Sequence, residues 1–224
     1  MTSPSEKVRD MLSADSSQLK KSNKDDLCTL IVFLRGKVEE LESYQLVSKR
    51  VQLLEKTLVS SMQYSRRESI EIHGLPETIK DEELEGKCLG VLEDIGCGKI
   101  DSSQVHACHR LKNKNNTITR FVSRKFADKA LHNKSKLKNI NREKYGVAND
   151  KNIYINENLC RPMQYLAYKV RQALRDRKIV SYNLWKGKLS VKLVLNGRDI
   201  VISHVQDLID IHLACEEDKQ YFLA

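Results

Sequence analysis

The chain has 224 residues, 40% of them hydrophobic and 31% charged, so it is charge-rich yet able to bury one large core or two small ones. A formal net charge of +9 and a pI near 9.2 favour a polyanionic partner, with nucleic acid ahead of an anionic membrane. No apolar run is long enough to span a bilayer and the polar N-terminus is not a signal peptide, so we expect no transmembrane segment, no secretion, and a nuclear or cytoplasmic location or both.

Residues 1–21 are polar and of mixed charge, and the brief apolar hint at Val8, Met11 and Leu12 predicts a mostly disordered segment with at most a helical turn or two. Ser22 with Asp25 resembles a variant capping box, and helix is expected from there. Ile31, Leu34, Val38 and Leu41 then fall at a, d, a, d of a heptad pattern. After one skipped residue Tyr44, Val47, Val51, Leu54 and Leu58 continue it as a, d, a, d, a. The flanks are charged, as outer positions of a coiled coil prefer. A coiled coil over residues 22–65 that makes a homo-oligomer is therefore expected, in preference to one amphipathic helix packed on its own domain. β-branched residues at a with leucine at d favour a dimer, whereas Tyr44 and the skip leave dimer or trimer open.

Ser69–Leu75 reads as a short strand with Ile70 and Ile72 inward, closed by Gly74 and Pro76. Thr78 with Asp81 repeats the capping-box pattern, and Leu84, Cys88, Val91, Leu92 and Ile95 share one face of a helix that Gly96 can end. Two strands, Gln104–Leu111 and Thr117–Val122, follow around the turn 112–116; a helix from about Ser123 turns Phe126, Ala130 and Leu131 inward. After a lysine-rich, poorly periodic loop, Asn152–Ile155 is a fourth strand. The order β-α-β-β-α-β over residues 66–158 is the split βαβ of ferredoxin-like and RNA-recognition (RRM-like) domains.

Residues 159–224 read as a small α+β domain of helix, three-stranded antiparallel sheet and helix. Pro162 suits a helix first turn, and Met163, Leu166, Ala167, Val170 and Leu174 form its buried stripe. Strands are expected at Ile179–Trp185, Leu189–Leu195 and Asp199–Ile202, with turns at Lys186-Gly187 and Asn196-Gly197, and a last helix from Ser203 to about Ala214. The fold class expected for the whole chain is thus α+β: coiled coil, RRM-like domain, small C-terminal domain.

Charge is unevenly spread. Residues 68–103 carry ten Asp/Glu against three Lys/Arg, whereas residues 104–151 carry thirteen Lys/Arg against three Asp/Glu. The second segment alone exceeds the net charge of the chain, so an anion-binding surface is expected on Arg110, Lys112, Lys114, Arg120, Arg124, Lys125, Lys134, Lys136, Lys138, Arg142 and Lys144. Such contacts fix phosphates without reading sequence. Aromatics for base stacking are few. Where RNA-recognition domains carry one in the first strand this chain has Glu71, leaving Phe121, which could equally be core, and Tyr182 and Trp185 in the C-terminal hairpin.

Six cysteines form no Cys-x-x-Cys pair; Cys97, His106, Cys108 and His109 come nearest to a metal cluster, but on a strand His109 would point away from the other two. Neither metal nor cofactor is expected. There is no phosphate-cradling glycine loop, Gly-x-Ser-x-Gly elbow or His-Glu-x-x-His, and Asp81, Glu82, Glu83 and Glu85 suit a helix first turn, so catalysis is not expected.

The segments Ile70–Glu77, Val105–Leu111 and Thr119–Phe126, with Ile153–Leu159 through Lys188–Val191 at the end, resemble the baculovirus few-polyhedra (FP) protein family and its C-terminal domain. The layout is also similar to the first-open-reading-frame protein of LINE-type retrotransposons. What the resemblance implies is a self-associating, non-catalytic protein that binds single-stranded RNA or DNA with weak sequence specificity, of viral or retroelement type. It implies contacts from Arg120, less securely from Arg124 and Arg142, and a matching place for Tyr182. The zinc finger with which some FP-like relatives begin has no counterpart here. The competing expectation is an assembly or occlusion protein acting mainly through viral or retroelement protein partners.

Overall fold

In a computed structural model that describes residues 4–13, 24–111, 116–148 and 151–222, two helices precede the first strand. The chain is mixed α+β and divides into two units, Met1–Leu54 and Glu55–Ala224. The first unit contains α1 (Pro4–Ser13), a helix of ten residues where at most a turn or two was expected; the rest of the segment 1–21 lies outside the described residues. Pro4 stands at its first residue, where a missing N–H costs nothing, and Val8, Met11 and Leu12 recur at helical spacing. α2 (Lys24–Tyr64) runs unbroken through the heptad pattern, since no proline lies between Pro4 and Pro76; Ser22 lies outside the described residues. Ile31, Leu34, Val38, Leu41, Tyr44, Val47, Val51 and Leu54 are all exposed, by 41% to 65%, so the stripe has no partner among the described residues of its own unit.

The second unit contains residues 55–64 of α2 and two antiparallel sheets. β1 (Ser69–His73), α3 (Asp81–Leu92), β2 (Val105–Arg110), β3 (Asn116–Phe121), α4 (Arg124–Asn133) and β4 (Tyr154–Glu157) follow in that order, and the strands lie side by side as β2-β3-β1-β4. Alternation along the strands sends Ile70, Ile72, Phe121 and Ile155 to one face, where Leu84, Cys88, Val91 and Leu92 of α3 and Ala127 and Ala130 of α4 complete a core. The other face is set by register: Glu71 stands opposite Ile118 and Asn156, and His73 opposite Asn116 and Tyr154. Gly74 then turns the chain at φ +90, where an added Cβ would lie 2.3 Å from the Asn152 carbonyl oxygen, so only glycine fits. α3 starts at Asp81 with Lys80 as N-cap and no side-chain cap, so Thr78 is not the capping residue expected of it. The lysine-rich loop is less irregular than expected: 134–139 and 143–145 are 3-10 turns pinned by buried Leu137 and Tyr145.

The second core gathers α5 (Arg161–Arg175), β5 (Ser181–Trp185), β6 (Lys188–Lys192), β7 (Ile200–Ile202), α6 (Val205–Asp210) and α7 (Lys219–Phe222). Pro162 sits in the first turn of α5, and Met163, Leu166, Ala167 and Val170 are buried; Leu174, expected in that stripe, is exposed and Ala173 is buried instead. Lys186 and Gly187 both adopt positive φ and close a two-residue hairpin, the primed turn that matches strand twist. β6 ends earlier than expected. The Gly197 amide bonds the Val194 carbonyl in a tight turn, which leaves Leu195 exposed rather than inward. α6 is likewise shorter than Ser203–Ala214: it stops at Asp210, and His212 takes a left-handed φ of 58. Among the described residues no helix is long and apolar enough to cross a membrane.

Candidate nucleic-acid interface

Side-chain alternation in β3 decides the first candidates. Arg120 points to the open face of the sheet, exposed, with its guanidinium 3.5 Å from Glu68. Its neighbour Phe121 must therefore point the other way. It is fully buried, with its ring 5.9 Å from that of Phe126, so it is a core residue and not the stacking surface proposed for it.

The arginines expected to meet phosphate divide by what already holds them. Arg110 donates to the carbonyls of Pro76, at 2.5 Å, and Ile79. Arg142 donates to the Lys151 carbonyl at 2.8 Å and the Asn152 side chain at 2.6 Å. Both guanidiniums clasp the backbone, which removes them from the phosphate-facing set. Lys144 is bound by Asp94 at 2.9 Å, and the Tyr145 hydroxyl donates to the same carboxylate. That hydroxyl and Lys144 hold the Asp94 carboxyl below the usual carboxylate range, while burial and then the Asp94 contact push the Tyr145 hydroxyl up to about 12. Lys112 and Lys114 lie outside the described residues.

What remains is a smaller set. Arg124 and Lys125 open α4, and Lys134, Lys136 and Lys138 follow it; all are exposed. No salt bridge to Lys125, Lys134, Lys136 or Lys138 occurs among the described residues. The Arg124 guanidinium sits 5.5 Å from the ring centre of Tyr64 at the end of α2, and Arg67 sits 5.9 Å from that ring. This exposed tyrosine between two arginines was not among the sequence candidates. The spacing of Tyr64 and Arg67, one helical turn apart, is the signal that would have found it.

A cleft of about 710 Å³ brings together parts of both sheets. Of the candidates, Lys134 and Tyr182 line it, joined by Glu71 and His73 of β1, Asn116, Asn156, and Gln164 and Arg171 of α5. Tyr182 is half-buried against the second core, as its register opposite buried Val191 requires, and it also lines the cleft. The lining is thus richer in amides than in cations. Glu71 is 13% exposed and its Oε2 lies 3.4 Å from His73 Nε2, without hydrogen-bond alignment. A second cleft of about 670 Å³, lined by residues 74–77, 146–148, Lys151, Asn152 and Tyr154, contains none of the candidates.

Among the described residues no three His, Cys, Asp or Glu side chains gather as a metal site, and Cys97, His106 and Cys108 are not brought together. Cys108 instead touches Thr119 Oγ1 at 3.6 Å. No family model and no curated protein matches the chain.

Proposed function

We propose that this chain is a self-associating, non-catalytic protein that binds single-stranded nucleic acid chiefly through phosphates. The observation that carries the reading is the exposed cationic surface of the basic segment: Lys125, Lys134, Lys136 and Lys138, which form no salt bridge among the described residues, with Arg120 and Arg124 nearby in sequence. Lysines held in no salt bridge keep their counterions until a polyanion displaces them, which is the source of salt-dependent affinity. The strand order β2-β3-β1-β4, with helices against one face and an open face carrying Arg120, is what an RRM-like arrangement has, and supports the same conclusion.

The exposed stripe on α2 supports self-association through a parallel coiled coil, because burying such leucines and valines against a second copy contributes about 1.5–3 kcal/mol each. Oligomerisation would link several weak sites and raise their effective concentration. Membership of the FP-like group is part of this proposal, resting on the segments of β1, β2 and β3 quoted above. The test is retention on single-stranded RNA or DNA at physiological ionic strength, competed by duplex. Binding that falls with added salt is expected. No retention would turn the reading to assembly through protein partners.

A further inference from the structure

The cleft lined by Tyr182 contains a feature that phosphate binding does not need. Glu71 places a carboxylate in it, and a negative charge there repels a phosphate backbone. The side chain is only 13% exposed, and no hydrogen bond to it occurs among the described residues; His73 Nε2 lies 3.4 Å from its Oε2 and is itself without a hydrogen-bond partner. Removing a carboxylate from water is costly unless donors meet it. Glu71 lines the cleft, so a ligand that fills the cleft can supply donors to this carboxylate. A cation held by several ligands does not fit, since among the described residues no group of three acidic, imidazole or thiol ligands gathers here.

We propose that Glu71 makes this cleft a base-reading site with a preference for guanine. This rests on the nucleic-acid reading above and deepens it. In single strands the Watson–Crick edges are free to be read. Guanine alone offers two adjacent donors there, N1–H and the exocyclic N2 amino group, which match the two oxygens of one carboxylate. Adenine and cytosine offer one amino donor beside an acceptor, and uracil and thymine a single imide N–H between two carbonyls. A bidentate, charge-assisted pair is the stronger and more selective contact. Tyr182 supplies a ring at the same cleft against which the base can stack, and the Asn156 amide, directly opposite Glu71 in register, can meet the guanine O6 carbonyl.

The experiment uses the whole chain and five single-stranded probes, oligothymidylates carrying one central dG, dI, dA, dC or dT, with matching oligouridylates for RNA. The dG probe should bind at least about five-fold tighter than the dT and dA probes, the lower end of what one bidentate pair contributes. Inosine keeps N1–H and lacks the 2-amino group, so dI should lose most of that advantage; this comparison needs no variant. In Glu71→Gln, where an amide replaces one acceptor by a donor, the dG-to-dT ratio should fall below about two-fold. Equal affinities for dG, dI and dT, or a preference that survives Glu71→Gln, overturns the assignment while leaving phosphate binding intact. Absence of binding to every probe overturns the nucleic-acid reading and this inference with it.

Discussion

The carboxylate of Glu157, at the end of β4, accepts the backbone N–H of Gly187 at 2.7 Å and, with its other oxygen, that of Lys186 at the same distance. One side chain of the first sheet thereby holds the hairpin turn of the second. Gln63 braces the same junction: its amide accepts from the Cys160 N–H at 2.9 Å and donates to the Asn158 carbonyl at 3.1 Å. Arg66 adds a bond to Asn158 Oδ1 at 3.0 Å, and Lys186 an ion pair to Asp128 at 2.9 Å. Glu157 also lines the cleft between the sheets.

Glu157→Ala should leave two half-buried amides without acceptors. Each orphaned donor costs about 1–3 kcal/mol, so unfolding in urea should shift by about 2 kcal/mol or more. Gly187→Ala should be destabilising by a different route: φ is +72, and the added Cβ would lie 2.5 Å from Gln63 Cγ. A midpoint unmoved by Glu157→Ala would show that the clasp does not contribute to stability.

Asp218 predicts the acid limb of stability. Burial alone would raise its carboxyl, but Lys169 at 2.7 Å, the Tyr165 hydroxyl and the Cys215 amide outweigh it and hold the group well below the usual carboxylate range. A depressed native pKa stabilises the fold at pH values above the ordinary aspartate pKa. That contribution declines as pH falls below about 4, through the native value. Asp218→Asn should therefore lower Tm at neutral pH and flatten its fall below about pH 4. Parallel acid limbs for the two proteins would contradict this.

Self-association has its own test. Replacing Leu34 and Leu54 by Asp puts charges into two d positions of the exposed stripe, and should convert an oligomer to a monomer in sedimentation at micromolar concentration. A wild-type protein that is already monomeric there would end the coiled-coil proposal.

Much of the fold was legible where pattern and backbone agree. Ile70 and Ile72 alternate, Cys88, Val91 and Leu92 recur at helical spacing, and all are buried as that spacing requires. Ends of elements were harder. Leu195 continues an alternating pattern yet is exposed, because a local turn at Val194–Gly197 wins over propensity. The site was legible only in part, since charge counts do not say what a side chain already holds. Nothing local in Arg110 or Arg142 reveals that carbonyls distant in sequence clasp them, and nothing in Glu157 reveals its two amides. Phe121 was decidable in principle, because fixing Arg120 outward on a strand fixes Phe121 inward.

Phosphate binding by the exposed lysines that form no salt bridge among the described residues is measured most directly by its salt dependence. Each phosphate neutralised on a single strand releases about 0.7 of a counterion. Replacing Lys134, Lys136 and Lys138 together by Gln should therefore weaken binding to every single-stranded sequence alike and reduce the slope of log K against log salt by up to about 2. An affinity and a slope equal to those of the wild type would make this segment a solvated face, and would move the function to assembly through protein partners.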